Sequence, residues 1–360
     1  MLVRIATNHL KTKLSTLSHP AQDTTKKSHV RITATATMSS TPSLSLIHII
    51  GSLNTDLTTY TPRIPLGGET LRATAFQTSS GGKGGNQAVA CAKLSRTRAL
   101  TDATATIRMI GAVGSDAHGH ALLAGLQSAG VETSGVIMRN DVESGVAVVL
   151  VEEESGENRI LLTAGANASL LPKQFESSLG EEQGEGAPDL VILQLEIPVE
   201  TTVRILRTAR EKGVDVLLNP APAVELPSEA YEGLKHLVLN ETEAVILSGC
   251  SVEALEKEET LSGVADVFHG RGVANVVITL GGKGVFFSGE GGDKGLAKAK
   301  KVQVVDTTAA GDTFVGAYAL EVMKGGVGIE SAVRRANEAA AMTIGKRGAQ
   351  KSIPWAYELS

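Results

Sequence analysis

The run VVDTTAAGDTFVGAYAL (304–320) sets one acid, Asp312, directly behind three tiny residues, Ala309, Ala310 and Gly311. Val304 and Val305 close a β-branched stretch, whereas Phe314, Tyr318 and Met323 recur at helical spacing, so the small residues are predicted on a strand-to-helix turn. The first turn of a helix carries N–H groups without intrahelical acceptors, at the positive end of the helix dipole. Side chains no larger than a methyl group let an anion reach those groups, which makes the run an anion cradle. The same residues also fit a plainer reading, in which Asp312 only caps its own helix.

Other polar residues occupy comparable places. Asn54 and Asp56 follow the first apolar run in GSLNTDL, SSGGKGGNQAVA (79–90) sets Lys83 and Asn86 in a glycine-rich entry to a helix, and Glu196 ends LVILQLE. A polyol bound among them would find donors and acceptors on several sides. Each glycine loop is weak evidence by itself. GGKGGNQ lacks the Ser or Thr that follows the Lys of a Walker loop, and GSLNTD lacks the GxGxxG spacing of a dinucleotide site. TLGGKGVFF (279–287) also reads as a tight hairpin. The pair His118-x-His120 has no further ligands in view and reads as surface or helix-start histidines.

The elements that must position these residues alternate along the chain. Apolar runs at 44–54, 105–114, 188–196, 214–220, 236–243 and 274–284 end in polar residues or glycine, and helical patterns intervene at 86–94, 120–130, 201–213 and 330–345. The expected fold is α/β: a doubly wound, mostly parallel sheet with helices on both faces and ligands outside the carboxyl ends of the strands. Two stretches, 56–79 and 144–167, break the rhythm with short strands and turns. They are expected after the first and second core strands, paired with one another as a small β-sheet lid over the strand ends. Such a lid could exclude water or bury its apolar side against a second subunit. GEEQGEGAPD (180–189) reads as a polar surface loop.

Composition limits the alternatives. Apolar residues make up 42% of the 360 residues but Phe, Trp and Tyr only 3%, so the core must be aliphatic, as buried parallel strands tend to be. A net charge of −5 gives no electrostatic reason to bind nucleic acid or membrane. Two cysteines, Cys91 and Cys250, offer no disulfide framework and fit a reducing, cytoplasmic setting. Residues 1–44 hold six Lys or Arg and one acid, Asp23. That segment reads as a disordered tail, or as sequence before a start at Met38, with a mitochondrial presequence as the alternative and the nucleus a further location. The catalytic domain is expected over 45–357.

With these elements in place, the motifs GSLNTDL, GGKGGNQAVA, TAGAN (163–167), LQLEIP, NPAPA (219–223), LNETEA, TLGGKG, VVDTTAAGDTF and GAQKSIP (348–354) occur in the order found in the PfkB-type carbohydrate kinases, the ribokinase-like family. The resemblance runs from about Leu46 to Trp355, and GAQKSIP sharpens it toward members that act on ribose. It implies phosphoryl transfer from ATP to the 5-hydroxyl of D-ribose, with Mg²⁺ and an activating K⁺. Asp312 would then be the general base, and Ala309, Ala310, Gly311 and Asp312 would present N–H groups to the phosphoryl group in flight.

By the same resemblance, Asn54, Asp56, Gly82, Lys83, Asn86 and Glu196 would bind the sugar with Asp312. Asn240, Thr279, Leu280, Gly281, Gly282, Lys283, Gly284, Gly311, Asp312 and Asn337 would line the nucleotide site. Asn240 and Glu243 would influence Mg²⁺ through water, and they also fit a capping box. Asp306, Thr308, Gly348 and Ser352, with carbonyls near Thr343 and Lys346, would hold K⁺, although Asp306 also fits an Asx turn. A homodimer through the lid strands is implied too. Neighbouring readings are a kinase of this fold for another sugar or a nucleoside, and a catalytically silent sugar or nucleotide sensor. Gly85 departs from the family where many members carry Ala, and Lys351 interrupts GAQ-SIP where Pro is common. Neither removes a functional group.

Overall fold

The computed structural model describes residues 44–100, 102–155 and 157–359, so the expected tail lies outside the described residues apart from Leu44. The parallel strands of the main sheet are β1 (Ser45–Ile50), β4 (Ala105–Gly114), β5 (Val136–Arg139), β8 (Leu190–Leu193), β9 (Asp215–Leu218), β10 (His236–Asn240) and β11 (Asn275–Thr279). Two antiparallel strands, β12 (Val285–Ser288) and β13 (Lys294–Ala297), complete one edge. The order is β13-β12-β11-β10-β9-β8-β1-β4-β5. Chain direction across the sheet reverses beside β1, which places the ligand crevice at the carboxyl ends of β1 and β8.

Alternate residues of each strand feed two aliphatic cores. Ile47 and Ile49 of β1, Ile107 and Met109 of β4, and Leu190 and Ile192 of β8 face helices α1 (Lys83–Leu94), α2 (Ala117–Ser128), α6 (Ala310–Val322) and α7 (Ile329–Ile344). Ile50, Ile110, Val191 and Leu193 face α3 (Val199–Lys212), α4 (Glu241–Ser248) and α5 (Glu258–Gly270). Each fully buried Ile, Leu or Val contributes about 1.5–3 kcal/mol relative to exposure. Helices α1 and α6, which carry Lys83, Asn86 and Asp312, meet at small residues. A Cβ at Gly316 would stand 2.6 Å from the Cβ of Ala90, so only glycine there permits this approach.

The lid is a separate four-stranded sheet, β3-β2-β6-β7, built from β2 (Asn54–Thr61), β3 (Ala75–Gly81), β6 (Gly145–Glu152) and β7 (Asn158–Thr163). Its two hairpins join through a parallel β2–β6 pairing. The second hairpin follows the third core strand in chain order, not the second, because β5 intervenes. VIMR is only four residues long and partly exposed, too short for a readable period. No strand precedes Asp306: residues 301–304 carry no regular structure, and Val304 and Val305 are 60% and 46% exposed. The loop at 180–189 is pinned more firmly than a surface loop need be. Glu185 pairs with the buried guanidinium of Arg108, which Glu132 also contacts at 2.9 Å.

Candidate active site

Helix α6 begins after Ala309, a non-glycine residue in the left-handed region (φ 61°). That turn lifts the chain so that Thr313 N–H bonds the Ala309 carbonyl while, among the described residues, the N–H groups of Gly311 and Asp312 find no acceptor. A Cβ built on Gly311 would meet nothing within 4 Å, so open space lies in front of these donors. Asp312 does not cap its helix. Its carboxylate, in a residue only 6% exposed, accepts Asn86 Nδ2–H on Oδ2 and Gln87 Nε2–H on Oδ1, both at 3.0 Å.

Across the crevice, Glu196 follows β8 and is held by three donors at one oxygen. Ser52 Oγ–H, Lys83 N–H and Asn54 Nδ2–H approach Oε2 at 2.5, 3.0 and 3.4 Å. Asn54 is oriented in turn by Asn167, whose Nδ2 donates to Asn54 Oδ1 at 2.8 Å and to the Leu53 carbonyl at 3.1 Å. Ser52, Gln87 and Asn167 therefore belong to the site though the sequence reading gave them no role. Asn167 and Gln87 stand inside the quoted motifs TAGAN and GGKGGNQ, which is the signal that could have found them.

Asp56, on lid strand β2, has no hydrogen-bond donor among the described residues. Burial pushes its pKa up to about 7, and the nearby charges of Glu196 and Asp312 add to the rise. Gly81, across the β2–β3 ladder, makes room for this carboxylate, since a Cβ there would lie 2.1 Å from Asp56 Oδ2. Burial alone would lower the pKa of Lys83, but the fields of Asp312, Glu196 and Glu243 outweigh it and the net shift is upward. The ammonium thus stays charged among carboxylates. Asn86 Oδ1 is buried without a partner among the described residues. One free acceptor, one free carboxylate and one ammonium around a crevice form the donor and acceptor set a polyol requires.

The second half of the site lies at the ends of β10 and β11. Asn240 and Glu243 make a complete capping box: Asn240 Oδ1 accepts Glu243 N–H, and Glu243 accepts Asn240 N–H and Nδ2–H, each at 2.8 Å. Burial raises the pKa of Glu243, with Asn240 N–H and Lys83 opposing the shift. Asn240 pairs with Thr279 in the sheet register, and the Thr279 hydroxyl bonds the Leu239 carbonyl at 3.2 Å. The turn Gly281–Lys283 leads through Gly284 into β12 as a hairpin, with Lys283 3.7 Å from Glu241. Leu280 beneath it is buried. Gly284 passes close to Ala297, and Asn337 on α7 donates to the Lys298 carbonyl at 2.9 Å, so Asn337 fastens the segment beside that turn. Gly281, Gly282 and Gly311 leave open space for a nucleotide and its phosphates.

At the entrance to α6, Asp306 Oδ1 accepts the Thr308 N–H and hydroxyl at 2.9 and 2.6 Å, while Oδ2 accepts Gly348 N–H at 2.9 Å. Burial disfavours the charge, but these hydrogen bonds hold the pKa of Asp306 below its ordinary value. The Asx turn is present, and it also joins the two stretches proposed to hold K⁺. Ser352 Oγ donates to the Ala349 carbonyl at 2.7 Å. Thr343 contributes less readily, because its carbonyl already accepts the N–H groups of Gly345 and Lys346. The Lys346 side chain points away to Glu358 at 2.9 Å. Among the described residues, no group of three or more His, Cys, Asp or Glu is placed to hold a metal.

Comparison with known proteins agrees with this geometry. Residues 44–356 match the domain described as pfkB family carbohydrate kinase. A ribokinase from Schizosaccharomyces pombe is 40% identical over 316 residues, covering 87% of this chain and 96% of its own. A deoxyribokinase from Salmonella typhi is 34% identical over 309 residues, covering 86% and 95%. The structure of an Arabidopsis thaliana ribokinase complexed with ribose and ATP superposes with a TM-score of 0.76 at 29% identity, covering 88% of this chain and 98% of the other.

Proposed function

The chain belongs to the pfkB family of carbohydrate kinases, and from that membership we propose that it transfers the terminal phosphoryl group of ATP to the 5-hydroxyl of D-ribose, giving D-ribose 5-phosphate. The observation that carries this reading is the placement of Asp312. Its carboxylate stands at a helix start with free N–H groups, in the same crevice as Asn54, Asp56, Lys83, Asn86 and Glu196.

In this reading Asp56 accepts two sugar hydroxyls, Asn86 Oδ1 takes a third, and Lys83 donates to a sugar oxygen. Asp312 accepts the proton of the attacking hydroxyl as its oxygen turns on phosphorus. The N–H groups of Gly311 and Asp312 stabilise charge on the group in transfer, where prealigned dipoles act without reorganisation. When bound at the Thr279–Gly284 turn and Asn337, ATP supplies the phosphoryl group. Glu243 and Asn240 would act on Mg²⁺ through water. A K⁺ beside Asp306, Thr308, Gly348 and Ser352 would stiffen the turn that leads into α6. The lid would keep water from competing with the sugar. Phe76, Ile160 and Leu161, 59–66% exposed on the lid, support a homodimer through its strands, and the cysteine usage supports a cytoplasmic setting.

The similarity to a deoxyribokinase supports a second reading, in which 2-deoxyribose is the preferred acceptor. A panel of ribose, 2-deoxyribose, fructose and adenosine with MgATP, with and without KCl, separates the readings. The highest kcat/KM is expected for ribose with KCl present, and a clear preference for any other acceptor overturns the assignment.

A further inference from the structure

We infer that Gln87 is a positioning residue for the proton acceptor: with Gln194 and Asn219 it forms a buried amide chain that aims the Asp312 carboxylate. This rests on the phosphotransfer reading and deepens it. Gln87 is fully buried, and every polar atom of its amide is used. Its NH₂ group donates to Asp312 Oδ1 at 3.0 Å and to Asn219 Oδ1 at 3.1 Å, and its oxygen accepts Gln194 Nε2–H at 2.6 Å. Asn219 Nδ2 donates in turn to the Val238 carbonyl inside β10 at 3.0 Å. Gln194 stands one residue beyond β8 and Asn219 one residue beyond β9, so three neighbouring strands anchor the chain.

The chain has only one sense. Turning the Gln87 amide over would set its oxygen against Asp312 Oδ1 and Asn219 Oδ1, and its NH₂ against the NH₂ of Gln194. Amide hydrogens from Asn86 and Gln87 reach one oxygen of Asp312 each, which fixes the plane and direction of the carboxylate. A second lone pair on each oxygen is left for a substrate hydroxyl. Asn86 also has its free Oδ1 for the sugar, whereas Gln87 has no atom to spare. Gln87 therefore acts on the reaction through Asp312 alone.

The test is steady-state kinetics across pH 5.5–9 for Gln87→Met, Gln87→Glu and Gln194→Met, with ribose affinity from calorimetry and folding from circular dichroism. The other charged groups around Asp312, Lys83 on α1, Asp56 on β2, Glu196 beyond β8 and Glu243 on α4, are common to all variants. Gln87→Met is expected to lower kcat about 10- to 100-fold while ribose affinity stays within about 3-fold, the usual scale for losing an outer partner of a reacting group. Gln87→Glu sets two carboxylates face to face, so its acid limb is expected to move up by about one pH unit or more, with kcat partly recovered at pH 9. Gln194→Met leaves the Gln87 oxygen without its donor and so loosens the amide that aims Asp312; it is expected to lower kcat several-fold and carries the test if a Gln87 variant does not fold. Folded variants with wild-type kcat, or a Gln87→Glu profile that superposes on the wild-type profile, overturn the inference. Wild-type protein inactive on every sugar in the panel would instead sink the phosphotransfer reading beneath it.

Discussion

Ribose binding should depend on pH through Asp56. In the free protein its carboxylate has a pKa raised to about 7, from an ordinary 3.8, by burial and by the charges of Glu196 and Asp312. If the sugar donates hydroxyl hydrogens to this group, only the ionised form binds. About half of the molecules are then competent at pH 7, about one in ten at pH 6 and nearly all at pH 8. Ribose affinity should therefore rise about 10-fold from pH 6 to pH 8 and flatten above. Near pH 7 each binding event should release about half a proton, measurable by calorimetry in buffers of differing ionisation enthalpy. The folded-state pKa lies above the unfolded value, so protonated Asp56 favours the fold and that contribution is lost as pH climbs through about 7. Between pH 6 and pH 8 the sugar-free protein should lose about 1.4 kcal/mol from this group, a trend that Asp56→Asn removes. Affinity that is flat or that falls over this range, with no proton released, would refute the reasoning.

Other expectations follow from the same coordinates. Asp312→Ala should cut kcat by about 10²- to 10⁴-fold, with a near-normal thermal transition by circular dichroism. Gly81→Ala would press a Cβ into the Asp56 carboxylate and should raise the ribose KM far more than the ATP KM in initial-rate assays. Removing the Asx turn with Asp306→Ala should chiefly flatten the response of the rate to added KCl, and an unchanged titration would count against the cation site. If two copies pair through the lid strands as proposed, Leu161→Asp on β7 should leave only monomer in light scattering with the ellipticity of the main domain intact, and wild-type protein that is monomeric would count against the pairing.

The sequence carried the fold where its physics is repetitive. Aliphatic runs ending in polar residues marked six of the parallel strands, and the interruptions at 56–79 and 144–167 marked the lid. β5 stayed hidden because its four residues are partly exposed and form no buried apolar run, unlike the equally short β8 and β9. Val304 and Val305 misled, because β-branched residues express a preference for extended backbone that does not depend on having a sheet partner. The charged and glycine-rich members of the site were legible as polar residues at strand ends. The roles of the amides Gln87, Asn167, Gln194 and Asn219 were not, since each depends on partners up to 225 residues away in the chain. Arg108 and Glu185 hid for a similar reason: the loop at 180–189 looks solvated until its distant guanidinium is seen.

Asn54 and Asp56 sit on β2, the central strand that joins both hairpins of the lid. In the proposed reading, recognition of the acceptor and shielding of the reaction share one piece of backbone. A molecule too small or too differently shaped to engage both side chains gives that strand nothing to settle on. Water, the most abundant rival phosphoryl acceptor, is such a molecule. Economy with ATP in the absence of sugar would then be a property of how the cover is built, needing no separate safeguard.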